Sequence, residues 1–240
     1  MKILAFDTSN KPLTVAVVED GKCLARMDSS ELKTHSVSLL PDIQESLETA
    51  GLSVNDIDRI AVADGPGSYT GVRIAVTVAK TLAFTLDKPL VGISSLRLLA
   101  ADGTDDKLVV ALEDARNDNA FAGAYIKKSG EVVNVIEDQH ISMSRLFEKL
   151  SNYPAEQIQF VNASEHLAEL INEAMPKASV VLTKDSLPDA VKLAQIAENA
   201  EPVKDINAFV PTYLRLTQAE HDWIEKGHKE DGNISYVEEI

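Results

Sequence analysis

Two acids stand where an apolar run gives way to a polar turn: Asp7 in Phe6-Asp7-Thr8-Ser9-Asn10, and Asp114 in Glu113-Asp114-Ala115-Arg116. Open α/β sheets bind ligands beyond the carboxyl ends of their strands, so carboxylates at two such tips suit a metal, or a nucleotide phosphate held through it. Neither turn carries a glycine. Acids in turns ordinarily accept hydrogen bonds from their own chain, and that is the reading the residues favour. The five histidines are His35, His140, His166, His221 and His228, and no two have the three- or four-residue spacing that puts paired ligands on one helix face. No zinc site is expected. Ser9, Ser68 and Ser94 precede turns or helices, but none sits in a Gly-x-Ser-x-Gly elbow with an evident base. Cys23 reads as packing within a strand.

A third stretch, Gly65-Pro66-Gly67-Ser68-Tyr69-Thr70-Gly71, joins the apolar run 57–64 to the longer run 72–86. Its glycines mark backbone that turns sharply or lets something come close. A Walker loop needs Gly-Lys-Ser/Thr at its end, and here Gly71 precedes Val72-Arg73; the dinucleotide pattern needs glycine where Thr70 stands. Pro66 also removes an N–H that an anion cradle would use. A tight strand-to-helix turn, with Ser68 or Thr70 capping the helix, fits better.

The elements that must position these residues follow from hydrophobic periodicity. Strands are predicted over 2–6, 13–19 and 22–27, with Asp20-Gly21 turning the second into the third. A helix over 34–50 carries Val37, Leu40, Ile43, Leu47 and Ala50 at helical steps, stops at Gly51, and either kinks or begins its regular part at Pro41. Strand 57–64 leads through the glycine loop into helix 72–86, whose polar stripe is Arg73, Thr77, Lys80, Thr81 and Thr85. Ala75, Ala79 and Ala83 form a shallow row on that helix for close backbone approach. Its partner is either the chain's own sheet, the favoured reading, or a helix of another chain, because Ile74 and Phe84 interrupt the polar stripe. Strand 89–93 and a short helix 95–101 capped by Ser94 close the first half.

The same grammar then recurs. Strand 108–112, its acidic tip, strand 120–127, a Ser129-Gly130 turn and strand 132–136 repeat the opening unit, so the chain reads as internally duplicated in pattern. Helix 142–150, strand 159–161, helix 164–174, strand 179–182 and helix 189–199 complete it. The expected class is mixed α/β with a partly parallel sheet in each half. Residues 1–103 and 104–216 are expected to be the two lobes, divided at the polar run 102–106, and 217–240 an acidic tail with an isolated Trp223.

At 240 residues and 45% hydrophobic content the chain can bury a sizeable core. Its formal charge of -15, from 38 acidic and 23 basic side chains, argues against nucleic acid as a direct partner over a wide surface. One cysteine excludes an internal disulfide, and Asp7 ends the first apolar run too early for a signal peptide or membrane span, so a cytoplasmic location is expected. Asn233-Ile234-Ser235, which spells a glycosylation acceptor, is then a chance match.

Taken together, Ile3-Leu4-Ala5-Phe6-Asp7-Thr8-Ser9, His35 with Leu39-Leu40-Pro41, and above all the decapeptide 65–74 resemble the bacterial TsaB family, also called YeaZ. Ser94-Ser95-Leu96, Asp114-Ala115-Arg116 and Pro211-Thr212-Tyr213-Leu214-Arg215 extend the likeness through most of the chain; family members usually carry Phe where Tyr69 stands. The resemblance implies an actin-like and Hsp70-like ATPase-superfamily fold of two ribonuclease-H-like lobes. It implies a non-catalytic part in making the threonylcarbamoyl modification of the tRNA adenosine beside the anticodon. The transfer step belongs to a paralogue, TsaD, whose metal is held by a His-x-x-x-His pair; here the residue four after His35 is Leu39.

The implied partners are a TsaD-like transferase, a TsaE-like ATPase and a second copy of the chain, with tRNA engaged only indirectly and no membrane. The resemblance places both the homodimer and the competing heterodimer on helices 34–50 and 71–86, through His35, Leu39, Leu40, Ile43, Leu47, Arg73, Ala75, Val76, Ala79, Lys80 and Ala83. Gly65, Pro66, Gly67, Ser68, Tyr69, Thr70 and Gly71 form the signature loop, and Asp7, Thr8 and Ser9 offer at most a weak nucleotide contact. No tightly bound cofactor and no metal are expected, ATP and Mg being used by the complex. The alternative is an enzyme, a metal-dependent glycopeptidase or a small-molecule kinase of the same superfamily. Against the first stands the missing histidine pair, and against the second the missing phosphate-loop glycines.

Overall fold

The computed structural model describes residues 1–29, 35–128 and 131–215. Thr34, the Ser129-Gly130 turn and the acidic tail with His221, Trp223, His228 and Asn233 lie outside the described residues. The chain opens with β1 (Lys2–Asp7), β2 (Leu13–Glu19) and β3 (Lys22–Ser29), all antiparallel neighbours. Asp20 and Gly21 both have positive φ, 48° and 74°, which matches the twist of a two-residue hairpin turn. Then come α1 (His35–Thr49), which continues through Pro41, β4 (Arg59–Gly65), α2 (Tyr69–Leu86), β5 (Leu90–Ser94) and α3 (Ser95–Ala100). The first sheet has the order β3-β2-β1-β4-β5, with β1, β4 and β5 parallel.

The second half repeats the scheme with β6 (Leu108–Asp114), β7 (Asn119–Lys128), β8 (Glu131–Ser142), α4 (Met143–Leu150), β9 (Ile158–Ala163), α5 (Glu165–Ala174), β10 (Ser179–Leu182) and α6 (Ala190–Glu198). Its order, β8-β7-β6-β9-β10, is that of the first sheet strand for strand. The duplication expected from the sequence is therefore a duplication of topology. β8 runs much further than 132–136, through to Ser142, which caps α4 by accepting the N–H of Arg145.

Strand alternation sorts the layers. On one face of the first sheet Leu4, Phe6, Val15, Val17, Ile60 and Val62 meet Leu39, Ile43 and Leu47 of α1 and Ala75, Ala79 and Ala83 of α2. On the other, Ile3, Ala5, Val18, Ala61 and Val91 meet Leu98 of α3 and Leu193, Ala194 and Ala197 of α6. The second sheet packs Val109, Ala111 and Val161 against Leu96, Leu99 and Ala100 of α3, and turns its far face to α4 and α5. The molecule is thus five layers, with α3 and α6 between the sheets. Burial on both faces explains why the strands read as continuous apolar runs. The arrangement is two-lobed and duplicated, a mixed five-stranded sheet flanked by helices in each half, as expected from the sequence.

The expected division at 103/104 separates the two sheets but not two packing units. Helix α6 belongs in sequence to the second half and in packing to the first sheet. Arg59 donates to the carbonyls of Ala197 and Ala200 at the end of α6, and the chain beyond it stays on the first lobe, Val203 N–H bonding Leu90 and Thr212 N–H bonding Asp64. Each sheet needs a helix from the other half of the sequence to cover its inner face.

Candidate functional site: an interlobe cleft and the helix face beside it

The glycine loop is seated on the β1 turn. Ser68 caps α2 by accepting the N–H of Gly71 at 3.3 Å, while its own N–H donates to the carbonyl of Ser9 at 2.7 Å. Thr8 Oγ1 donates to the carbonyl of Gly71 at 2.7 Å. A Cβ on Gly67 would stand 2.5 Å from the carbonyl oxygen of Ser9, so the close approach that the glycines permit is to the chain's own backbone. On the outer side of the loop Tyr69 stacks on Tyr213 at 5.1 Å between ring centroids, and the Arg73 guanidinium lies 5.2 Å from the Tyr69 centroid. That cation over an aromatic face holds the first turn of α2 together from outside.

Behind the same turn lies a cleft of about 700 Å³ between the lobes. Ser9, Asn10, Lys11, His35 and Ser68 line it from the first lobe; Glu113, Asn162, Ser164, Lys184 and Ser186 line it from the second. Ser9 N–H donates to Asp7 Oδ1 at 2.6 Å, and Arg116 N–H donates to Asp114 Oδ1 at 2.8 Å, so each tip acid does bind its own turn. Ser164 Oγ, which caps α5, takes the other Asp114 oxygen at 2.6 Å. Asp7 Oδ2, fully buried, has no hydrogen-bond partner. Burial pushes the Asp7 carboxyl up to about 6. Burial likewise pushes Glu113 up to about 7, opposed by the 3.0 Å hydrogen bond from Asn162 Nδ2 and reinforced by the charges of Asp7 and Asp114. Glu113, Lys11, Lys184 and the unpartnered hydroxyl of Ser186 give the cleft donors and acceptors for a polar ligand, while Asp7 lies buried behind its wall.

The nucleotide-contact trio divides. Asp7 and Thr8 are buried and Thr8 spends its hydroxyl on Gly71, so of the three only Ser9 lines the cleft. His35 Nε2 sits 3.2 Å from the carbonyl of Asn10, and Leu39 one turn on is a core side chain. Among the described residues no group of three or more His, Cys, Asp or Glu side chains is arranged to hold a metal.

The interface residues require a larger correction. Leu39, Ile43, Leu47, Ala75, Val76, Ala79 and Ala83 are all buried inside this chain, the alanine row lying directly on the first sheet. They cannot be presented to another molecule. What α1 and α2 do present is Val37 (69% exposed), Leu40 (55%), Tyr69 (50%) and Phe84 (68%). A groove of about 470 Å³ runs between them, lined by Ser36 and by Tyr69, Thr70, Arg73, Ile74, Thr77 and Val78. Arg73 stays on this face, while Lys80 turns to the carbonyls of Asn207 and Phe209 at 2.9 and 2.6 Å.

Two groupings lay outside the sequence reading. Glu113, beside Asp114, turns into the cleft because neighbours on a strand point to opposite sides. Asp138 on β8 accepts hydrogen bonds from Tyr125 Oη on β7 and from Ser94 Oγ, the N-cap of α3. It faces Asp64 at the end of β4, whose carboxyl burial and the Asp138 charge push up to about 7.

The model of the family described as "TsaD: tRNA N6-adenosine threonylcarbamoyltransferase" matches residues 29–223. The tRNA threonylcarbamoyladenosine biosynthesis protein TsaB of Bacillus subtilis is 35% identical over 227 residues, 94% of this chain and 99% of the relative. Its namesake in Escherichia coli is 35% identical over 128 residues, 52% of this chain and 55% of the relative. The solved structure of YeaZ from Pseudomonas aeruginosa superposes with a TM-score of 0.73 at 28% identity, covering 89% of this chain and 99% of that one. Identity held along nearly the whole length, on the same two-lobed fold, shows that the chain belongs to the TsaB family, also called YeaZ.

Proposed function

We propose that this chain works in tRNA threonylcarbamoyladenosine biosynthesis as a partner subunit without chemistry of its own, docking on a TsaD-like transferase through the outer face of α1 and α2. The observation that carries the proposal is the face itself. Val37, Leu40, Tyr69 and Phe84 are large apolar groups left exposed on two helices whose other sides are already packed on the first sheet. Exposed apolar surface on helices already packed on their other side marks an interaction site. Tyr69 and Arg73, which line the groove, are residue types that dominate binding energy at such sites.

A second copy of the chain would use the same face, so homodimer and heterodimer exclude each other. With a formal charge of -15 the subunit repels phosphate backbones, which leaves tRNA binding to the transferase and to a TsaE-like ATPase. ATP and Mg then serve the complex, in the cytoplasm. No helix among the described residues is long and apolar enough to cross a membrane. The test is size-exclusion chromatography with light scattering of the chain alone and mixed with a TsaD-like transferase. A 1:1 complex at micromolar concentration is expected, and failure to form one overturns the proposal. Reconstituted modification is expected to require the chain, while the chain alone turns over nothing.

A further inference from the structure

The two sheets end in four edge strands, β3, β5, β8 and β10, and three of them are guarded. β3 carries Lys22, Arg26 and Asp28. β5 is covered by the returning chain, whose Val203 N–H bonds the Leu90 carbonyl at 2.8 Å. β8 carries Glu131 and Glu137, and its Val132 carbonyl accepts from Arg97 Nε at 3.0 Å. Charge and cover are what keep a strand edge from pairing with another molecule. β10 has neither. Ser179, Val180, Val181 and Leu182 bear no charge, the strand pairs only with β9, and among the described residues no hydrogen bond reaches the backbone of its outer edge.

A groove of about 490 Å³ lies between this edge and α5, lined by Val180 and Leu182 of β10 and by Glu165, Ala168, Glu169 and Asn172 of the helix. Both glutamates are exposed. We propose that the groove docks an extended basic segment of another protein, which adds a strand to β10 and lays a lysine or arginine at every second position over the acids of α5. Side chains two residues apart on a strand repeat every 6.7 Å or about that, and residues four apart on a helix are separated along its axis by about 6 Å. Successive cations of the added strand therefore meet Glu165 and Glu169 in turn. The residues between them point to the other face, beside Val181. The neighbouring cations of the chain stand at the ends of β10 and leave its middle acidic. Lys107 Nζ is on Ser179 Oγ at 3.3 Å, Lys177 precedes the strand, and Lys184 lines the interlobe cleft. The strand is short and its register shifts between Val180 and Leu182, which limits the added segment to a few backbone hydrogen bonds and keeps the pairing reversible. In the five-layer stack α5 belongs to the outer layer opposite α1 and α2, so this surface stands independently of the docking reading above and leaves room for two proteins at once.

The probe is an end-capped, fluorescein-labelled peptide of alternating lysine and valine, titrated with the full chain and read by fluorescence polarisation. Saturable binding is expected. Glu169→Lys is expected to weaken it roughly tenfold or more, whereas Glu148→Lys, the same charge change on exposed α4 surface, leaves it within about twofold. The same lysines gathered in one block, or the alternating peptide with methylated backbone amides, should each bind roughly tenfold more weakly. In the wild type the alternating peptide is expected to slow hydrogen exchange at the Val180, Val181 and Leu182 amides, and this measurement decides the matter if a variant fails to fold. Absence of binding overturns the inference. Equal binding of the blocked peptide, equal losses from the two variants, or unchanged exchange along β10 reveals mere attraction to a chain of charge -15 and overturns it too. Protection of β10 that grows with the concentration of the chain alone assigns the edge to a second copy, which also overturns it.

Discussion

A Cβ placed on Gly71 would lie 1.9 Å from the carbonyl oxygen of Thr8, closer than any two such atoms can stand. Glycine to alanine within an ordinary helix gains up to about 1 kcal/mol. At Gly71, in the first turn of α2, the sign reverses, because the obstruction is backbone of the β1 turn and not a side chain that can swing away. Gly71→Ala is expected to lose about 2 kcal/mol or more. Thermal denaturation should show a fall of roughly 2–4 °C for each kcal/mol lost.

Adjacent leucines on α1 separate core from interface. Leu39 is buried against the first sheet and Leu40 faces solvent. Leu39→Ala is expected to cost about 2–5 kcal/mol in chemical denaturation. Leu40→Glu should leave stability within about 0.5 kcal/mol and weaken the complex with a TsaD-like transferase roughly tenfold or more. Ala79→Asp, buried on the sheet, is expected to unfold the lobe rather than to disturb assembly selectively.

Glu113 carries a pH signature. Its carboxyl in the fold is pushed up to about 7, above the unfolded value, so the native state binds the proton more tightly than the unfolded chain does. The stability it contributes is present at acid pH and is lost as pH rises from about 4.3 through the folded value. Glu113→Gln, which can still accept from Asn162, removes this dependence. The variant should be more stable than the wild type at pH 8 by about 1–2 kcal/mol, with the difference vanishing towards pH 4.

Asp138 joins the lobes, since the hydroxyls it binds sit on β7 of the second sheet and at the start of α3 after the first. Tyr125→Phe leaves the partly buried carboxylate one donor short and is expected to cost about 1.5–3 kcal/mol. Gly123→Ala should cost a similar amount for a different reason, because a Cβ there would stand 2.0 Å from Asp138 Oδ1. Denaturation of the two single variants and the double variant is expected to show strong non-additivity, both acting on one carboxylate.

Much of the fold was legible because periodicity encodes which face of an element is apolar. Leu13–Glu19 and Ser179–Leu182 are read to the residue, Ser68 and Ser94 cap the helices that follow them as expected, and Ser142, Ser164 and Asp189, read as first helical residues, prove to be the caps of theirs. Periodicity does not encode an address. Helix α6 carries Ala190, Leu193, Ala194 and Ala197 on its apolar face, a surface that fits either sheet, and nothing local says that it returns to the first. The expected interface residues divide for the same reason. Apolar spacing picks out core positions such as Ile43 and Ala79 together with the exposed Leu40, and only the helix phase fixed by packing separates them, whereas Phe84 was already legible as an interruption of the polar stripe. The glycines of the 65–71 loop announced a close approach, and the sequence left open what approaches. The cleft was legible on one wall: Ser9 lines it, while Lys184 and Ser186 belong to an irregular segment without a motif.

The crossing of α3 and α6 between the sheets bears on how the chain leaves the ribosome. The first sheet is complete at Ser94, yet the helix that covers most of its inner face begins at Ala190, 96 residues later. At translation rates of roughly 5–20 residues per second, that apolar surface waits about 5–20 seconds for its cover. During synthesis the nascent first lobe is a natural client for chaperones that hold unfinished apolar surface, and a stalled ribosome within residues 95–189 would leave a species prone to aggregate.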